Sequence, residues 1–525
     1  MTKRHVSRRA FLRDLSALAG GVALVSPLHA FYQKQAHGAG ALSSGPGPLL
    51  PTMDQTTGLP LLRLPAGFTY RSFGWSGDVM ADGTLTPDTH DGMAVVRSIN
   101  GEDVLIRNHE RAATFPGDPL PRVGQKDGQV LSSVGLYDGT APGLFTGMGG
   151  GTTALTVRNG MLIDDRATLS GTLANCAGGP TPWGSWLTCE EVILRGDLIG
   201  GRDHGYVFEV PAPGLGRASG KPIIDMGFMK HEAVAIDPHT GFVYLTEDNS
   251  HNSGTSGFYR FRPHDPSPRL GALEAGGILE IARVVGHPHR DLRVVEYGEQ
   301  FDIEWVRIEQ PDADPELLVS LAAALGSSVP NVPGFTDVPV FGAGASGPYL
   351  QGDAEGCARF ARLEGCWYHN NVVYVVDTSG GMEGVRQGSI WALQPSRSTG
   401  PDRLTCIFSS PSQQAACRLD NITVLPRGGI VVCEDWGRQI EGLVGTRLLG
   451  ISEQGNAFPL AENNIDLTAL GAIDGRPQIS VRDYRHEEWA GATFSPSSDT
   501  LYVNIQTPGV TFAIQGPWGR VLRTL

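Results

Sequence analysis

Six segments of this chain share one form, and a form repeated six times limits the fold more than any other feature of the sequence. Each opens with a polar or acidic residue beside a small one, crosses a β-rich run, turns at Gly, Asn, Asp or Ser, and closes on a second run. They read HDGMAVVRSINGEDVLIRNHE (His90 to Glu110), CAGGPTPWGSWLTCEE (Cys176 to Glu191), HEAVAIDPHTGFVYLTED (His231 to Asp248), LEGCWYHNNVVYVVDT (Leu363 to Thr378), LDNITVLPRGGIVVCED (Leu419 to Asp435) and EEWAGATFSPSSDTLYVNIQ (Glu487 to Gln506). The second is the loosest fit. Their spacing is mostly that of a blade of four strands, with one excess between Asp248 and Leu363 that calls for an insertion around 250–360. The expected fold is therefore an all-β, six-bladed β-propeller in a single domain from residue 31 to 525. Seventy Gly and 36 Pro between short β-rich runs agree with it. One helix is expected, over Asp314 to Leu325, where good helix formers follow a proline.

In a propeller the innermost strands share an axis, so their ends converge from every blade. Here those ends carry Glu110, Glu190, Glu191, Glu247, Asp248, Asp377, Glu434 and Asp435, and the openings add Asp91, Glu232, Glu364 and Asp420. A single strand-end carboxylate is ordinarily a solvated one. So many on one axis repel each other unless cations lie between them, and hard oxygen ligands in such number select calcium. Metal ions at the central channel are expected.

The first thirty residues read as an address. Ser7-Arg8-Arg9-Ala10-Phe11-Leu12 precedes a mildly apolar run from Leu15 to Val25 and a small-residue exit at Ala30, the order of a twin-arginine export signal. That run is broken by Gly20 and Gly21 and is too short to span a bilayer, so no stable membrane insertion is expected. The leader holds five basic residues and one acid, so its removal takes the net charge from −14 to about −18. A body so acidic excludes nucleic acid as a partner. The expected partner is the twin-arginine translocation machinery, with a periplasmic or secreted destination. Of the seven cysteines, Cys357 with Cys366 or Cys406 with Cys417 could pair, and the odd count leaves at least one thiol free.

The stretch GGPTPWGSWLTCEE, Gly178 to Glu191, resembles the signature of the PhoX-type alkaline phosphatases. Asn108-His109-Glu110, the run His231 to Asp248, Arg362-Leu363-Glu364-Gly365 and FSPSSDTLYVNIQTPGVTFAIQGPW follow in the family's order, from Asn108 to Trp518. The resemblance implies a six-bladed propeller holding iron (Fe3+) and calcium (Ca2+) and hydrolysing small phosphate monoesters. It implies that Cys189 is the iron thiolate, with Glu190 or Glu191 beside it; only without those flanking acids would a small buried hydrophobe be the preferred reading of that cysteine. Glu232 and Glu364 become further metal ligands, joined on the axial argument by Glu110, Asp248, Asp420 and Asp435. Arg362 would hold a phosphate oxygen, or else pair with a channel acid. His109 and His231 would donate to substrate or orient ligands, or simply cap strand ends. Trp436 puts an indole where a small residue is expected. The glycine-rich run Gly147 to Leu155 reads as a loop or a wall of the channel mouth. Openings such as Leu363-Glu364-Gly365 also resemble calcium-dependent lactonases, and a non-catalytic calcium-stabilised binding propeller is a third reading.

Replacing Arg8 and Arg9 together by lysine is expected to leave the protein in the cytoplasm. Processed protein in the periplasm of that variant, seen by fractionation and blotting, would contradict the export reading.

Overall fold

The computed structural model describes residues 46–521, apart from 142–144, 199, 250–253, 316–317, 321–338, 342–343, 426–427, 436–438, 453–454, 497–498 and 519–520. The expected leader and Trp436 lie outside these residues. The described chain is all-β and propeller-like. Each repeat begins with an antiparallel pair: His90–Ile99 with Glu102–His109, Asn175–Pro180 with Ser185–Glu190, His231–Ile236 with Val243–Glu247, Leu363–His369 with Val372–Asp377, Leu419–Val424 with Ile430–Glu434, and Trp489–Phe494 with Thr500–Ile505. The first strands of successive repeats pack side by side, the sixth against the first. The core is correspondingly divided into clusters between neighbouring sheets, such as Leu187, Val207, Val234 and Leu245 between the second and third repeats.

Hydrogen bonding does not give six separate blades. Four sheets each hold one repeat, and the third and fourth repeats share a nine-stranded sheet. The cause lies in the 250–360 stretch, where Gln300–Arg307 pairs on one side with Gly277–Val284 and on the other with Asp402–Ser409. The N-terminal strand Thr69–Phe73 pairs with Val510–Gln515, so the last sheet is completed by the start of the chain. Leu50–Thr52 and Leu62–Leu64 extend the fifth repeat's sheet in the same way.

Three local expectations are corrected. Within the expected helix, Leu318–Ser320 forms a strand against Pro339–Phe341, pairing having overridden propensity, while 316–317 and 321–325 lie outside the described residues. A helix stands instead at Gly347–Ala354, its first turn capped by Ser346 Oγ, which accepts from Tyr349 N at 3.2 Å. The run Gly147 to Leu155 is mostly strand, since Gly150–Arg158 pairs with Glu102–His109. All seven cysteines are free thiols, and Cys357 and Cys366 belong to different core clusters.

Small residues let the first strands approach. A Cβ on Gly92 would lie 2.4 Å from the Ala177 Cα, one on Gly179 2.0 Å from the Val234 carbonyl oxygen, and one on Gly365 2.7 Å from that of Asp420. Each contact is with backbone of the next repeat, which cannot swing aside. Gly179→Ala is therefore expected to cost about 1–3 kcal/mol through overpacking. Its unfolding midpoint, compared with that of wild type, checks this.

Candidate metal centre

Every first strand carries a bulge near its start. His90 faces His109 while Met93 faces Arg107, so the bulged strand has one residue more than its partner, and the same offset follows Asn175, His231, Leu363 and Leu419. In the sixth repeat it comes one residue later, after Ala490. Bulges re-aim side chains. A second feature sets the repeats in register: the N–H groups of Glu110, Glu191, Asp248, Thr378, Asp435 and Gln506 donate, at 2.8–3.2 Å, to the carbonyls of Thr89, Ala174, Lys230, Arg362, Arg418 and Glu488. Counting from these bonds, one position falls on Asp91, Cys176, Glu232, Glu364, Asp420 and Ala490. The other falls on Glu110, Glu191, Asp248, Thr378, Asp435 and Gln506.

These two positions build the centre. Four groups of three donors have their ligand atoms within 4.8 Å of one another: Asp91, Glu110 and Cys176; Cys176, Glu191 and Glu232; Glu232, Glu364 and Asp420; Asp420, Asp435 and Glu488. Neighbouring groups share a corner, so the donors form one continuous arc. Cys176 Sγ donates to Glu191 Oε2 at 2.9 Å. Burial, reinforced by facing carboxylates, pushes the pKa values of Asp91, Glu110, Glu191, Glu232, Glu364, Asp420 and Glu488 above the carboxylate range. The donors thus fit cations, whose charge would relieve that repulsion.

Of the sequence-predicted residues, the structure brings together Glu110, Glu191, Glu232, Glu364, Asp420 and Asp435. Asp248 stands at the equivalent position but is paired: Arg362 Nε and Nη2 donate to its carboxylate at 3.0 and 2.6 Å, and Arg362 Nη2 lies 2.9 Å from Glu364 Oε1. Burial opposes the charge on Arg362, but Glu364 and Asp248 outweigh it and raise its pKa. Its side chain keeps 21% exposure, so one face remains open.

Four of the predicted site residues stand apart from the donor arc. Glu190 turns into its blade, accepting from Leu173 N, Gly205 N and Tyr206 N and pairing with His204 Nδ1 at 2.6 Å. Side chains alternate along a strand, so of the Glu190-Glu191 pair only the second joins the donor arc. Cys189 lies fully buried among Leu187, Val207, Met226 and Leu245, an apolar setting. His109 spends both ring nitrogens on the blade, at the Asp88 carbonyl and Thr153 Oγ1, each 2.9 Å away. His231 bonds through Nε2 to the Gly227 carbonyl, and burial lowers its pKa to about 4. In both histidines burial favours the neutral ring, and the bonds described run to groups outside the donor arc.

The sequence motifs do not single out Cys176 or Glu488 as donors, and they place Asp91 only among the axial acids. Cys176 opens its segment as Asp91 and Glu232 open theirs, so its repeat position was the available signal. At the far end of the first strands, Pro180, Ile236, Trp367 and Tyr368 line an apolar cavity of about 250 Å³, away from these donors.

Fold and site together define a propeller-like β protein with an acid-lined axial centre. A family model described as alkaline phosphatase PhoX matches residues 45–509. Among solved structures, the chain is similar to Pseudomonas fluorescens PhoX in complex with vanadate, described as a transition state analogue, at 16% identity and TM-score 0.55, covering 90% of this chain and 98% of that one. The PQQ domain of pyranose dehydrogenase from Coprinopsis cinerea overlaps at 10% identity and TM-score 0.28, covering 86% and 97%, too loosely to carry an argument. No curated protein matches the sequence. The chain belongs to the PhoX alkaline phosphatase family and is a phosphoric monoester hydrolase.

Behind the donors, His204 is buried between Glu190 and Asp138. Burial opposes its charge, but Glu190 and Asp138 raise its pKa to about 9. A raised histidine contributes stability fully below its unfolded pKa of about 6.5, lost as pH climbs through 9. With calcium held in excess, the melting temperature of wild type is expected to fall across that window. His204→Gln, though less stable throughout, should lack this component of the slope.

Proposed function

We propose that this chain is an exported alkaline phosphatase that hydrolyses small phosphate monoesters with iron and calcium ions held inside a six-bladed propeller. The carrying observation is the arc of four donor groups with shared corners, because isolated surface acids do not build such an array. The donors divide by chemistry. Two groups share Cys176, and a thiolate among carboxylates suits Fe3+; the other two offer oxygen alone, which suits Ca2+. Bound there, such ions polarise phosphoryl oxygens and supply a water-derived nucleophile at ambient pH.

The protein's own part is to position and clamp. Arg362 presents a planar fork of N–H groups, the geometry that pairs with phosphoryl oxygens and with charge growing on them. Asp248 fixes that fork from behind through two nitrogens, and Glu364 holds it beside the donor arc. The backbone N–H groups of Ala361 and Arg362 donate to Asp377 at 3.0 and 3.1 Å, which anchors the segment carrying the fork. The six-blade reading is supported by the ring of first strands, even though two repeats share hydrogen bonds. Export to the periplasm or beyond by the twin-arginine machinery is supported by Ser7 to Leu12; among the described residues no helix is long and apolar enough to cross a membrane. A lactonase would have no use for a thiol at a corner shared by two donor groups.

Elemental analysis and an aryl phosphate assay before and after chelation test this reading. Chelation is expected to abolish activity and lower the melting temperature, since an ion bound only by the folded chain at a hundredfold excess over its Kd stabilises it by about 2.7 kcal/mol. Cys176→Ser should lose iron and orders of magnitude of activity, whereas Cys189→Ser should keep both. Full iron content and activity in Cys176→Ser would overturn the iron assignment.

A further inference from the structure

The repeat positions generate two of the four donor groups by a rule: the two axial residues of one repeat combine with the first axial residue of the next, as in Asp91, Glu110 and Cys176, and again in Cys176, Glu191 and Glu232. A third, Asp420, Asp435 and Glu488, follows it with one replacement. Glu232, Glu364 and Asp420 instead take the first axial residue of three successive repeats, Asp248 being held by Arg362 and Thr378 having no carboxylate. Carried to the sixth repeat, the rule would join the residues at 490 and 506 to Asp91 and close the arc. Those residues are Ala490, which has no donor, and Gln506, which has an amide where four other repeats have a carboxylate. Glu488, just ahead of the strand, stands in for Ala490 in the group with Asp420 and Asp435.

Gln506 does not leave the gap idle. Its Nε2 donates to Glu110 Oε2 at 2.8 Å and to Glu488 Oε2 at 3.0 Å, and lies 3.3 Å from Asp91 Oδ2. Two hydrogens thus serve three carboxylates, one from each end of the arc and one beside it. The main chain fixes the residue, since Gln506 N donates to the Glu488 carbonyl at 3.0 Å and Gln506 O accepts from His90 N at 3.2 Å. An amide hydrogen carries partial positive charge, so it screens the facing acids without the room or the net charge that a further cation requires.

Resting on the cation reading above, we propose that Gln506 is the positioning residue that ends the metal array: its amide holds the two ends of the arc together and bars a further cation from the gap at the sixth repeat. Changing that amide to a carboxylate restores the repeat's own pattern and should open a cation position.

The test uses full-length protein purified with calcium. Calcium per chain is measured after equilibrium dialysis, and thermal protection is followed as free calcium is varied. Gln506→Glu is expected to bind one calcium more per chain than wild type. Gln506→Leu, which keeps the bulk and loses the donor, is expected to need about tenfold more calcium for half-maximal protection. Equal calcium content in Gln506→Glu and wild type would overturn the assignment. Should that variant fail to fold, an unchanged calcium requirement in Gln506→Leu would do so instead. A wild type that gains no stability from calcium would overturn the cation reading itself, an outcome distinct from either.

Discussion

The repulsion among buried carboxylates at the axis is the constraint that organises this molecule. Two like charges about 4 Å apart repel by about 4 kcal/mol at an effective dielectric constant of 20, and the arc places many such pairs side by side. A chain that assembles them must hold the strand ends rigidly against that force. It does so with a second set of acids, one residue back from the first. Glu190 accepts from Leu173 N, Asp377 from Ala361 N and Arg362 N, and Glu434 from Cys417 N while gripping Arg447. Each ties the segment entering a repeat to that repeat's second strand.

The acidic dipeptides at the strand ends therefore have two jobs divided by strand geometry. With side chains alternating between faces, Glu190, Glu247 and Glu434 turn into their blades, and Glu191, Asp248 and Asp435 take the axial position. Glu247 shows what the inward job requires: it accepts from Tyr259 Oη at 2.7 Å and from Gly257 N at 3.2 Å. The bulge on the facing strand adds the residue that presents the axial donor, and the glycine or alanine that follows it in five of the six repeats lets the neighbouring repeat come close.

Much of this was legible in the sequence. Six segments with polar ends predicted the repeat and named most of the acids that the structure gathers, because period and residue type are local properties. What failed depended on phase or on long-range pairing. Glu190 and Glu191 look alike until the alternation is anchored. Cys189 drew attention because it adjoins those two acids in sequence, yet its own side chain belongs to the apolar face of the strand. Glu488 escaped because it lies one residue before its strand, outside the register that the other donors keep. The shared sheet of the third and fourth repeats came from Gln300–Arg307, a pairing that no local pattern specifies.

The places where the repeat departs from its own rule carry the asymmetry that a reaction needs. An array with a carboxylate at every axial position would offer no positive side chain to a phosphate ester. The residues just ahead of the first strands break that symmetry: Thr89, Ala174, Lys230, Arg362, Arg418 and Glu488 in order. Three consecutive repeats, the third to the fifth, place a basic residue there, and the sixth places an acid. Lys230 is nearly buried, and its charge favours ionisation of Glu191 and Glu247, while Arg362 grips Asp248 and Glu364. Positive charge is thus gathered along the third to fifth repeats, while in the sixth Gln506 Nε2 lies among three carboxylates. On the phosphatase reading proposed above, the part of Arg362 left exposed beside Asp248 and Glu364 is where an ester would meet the arc.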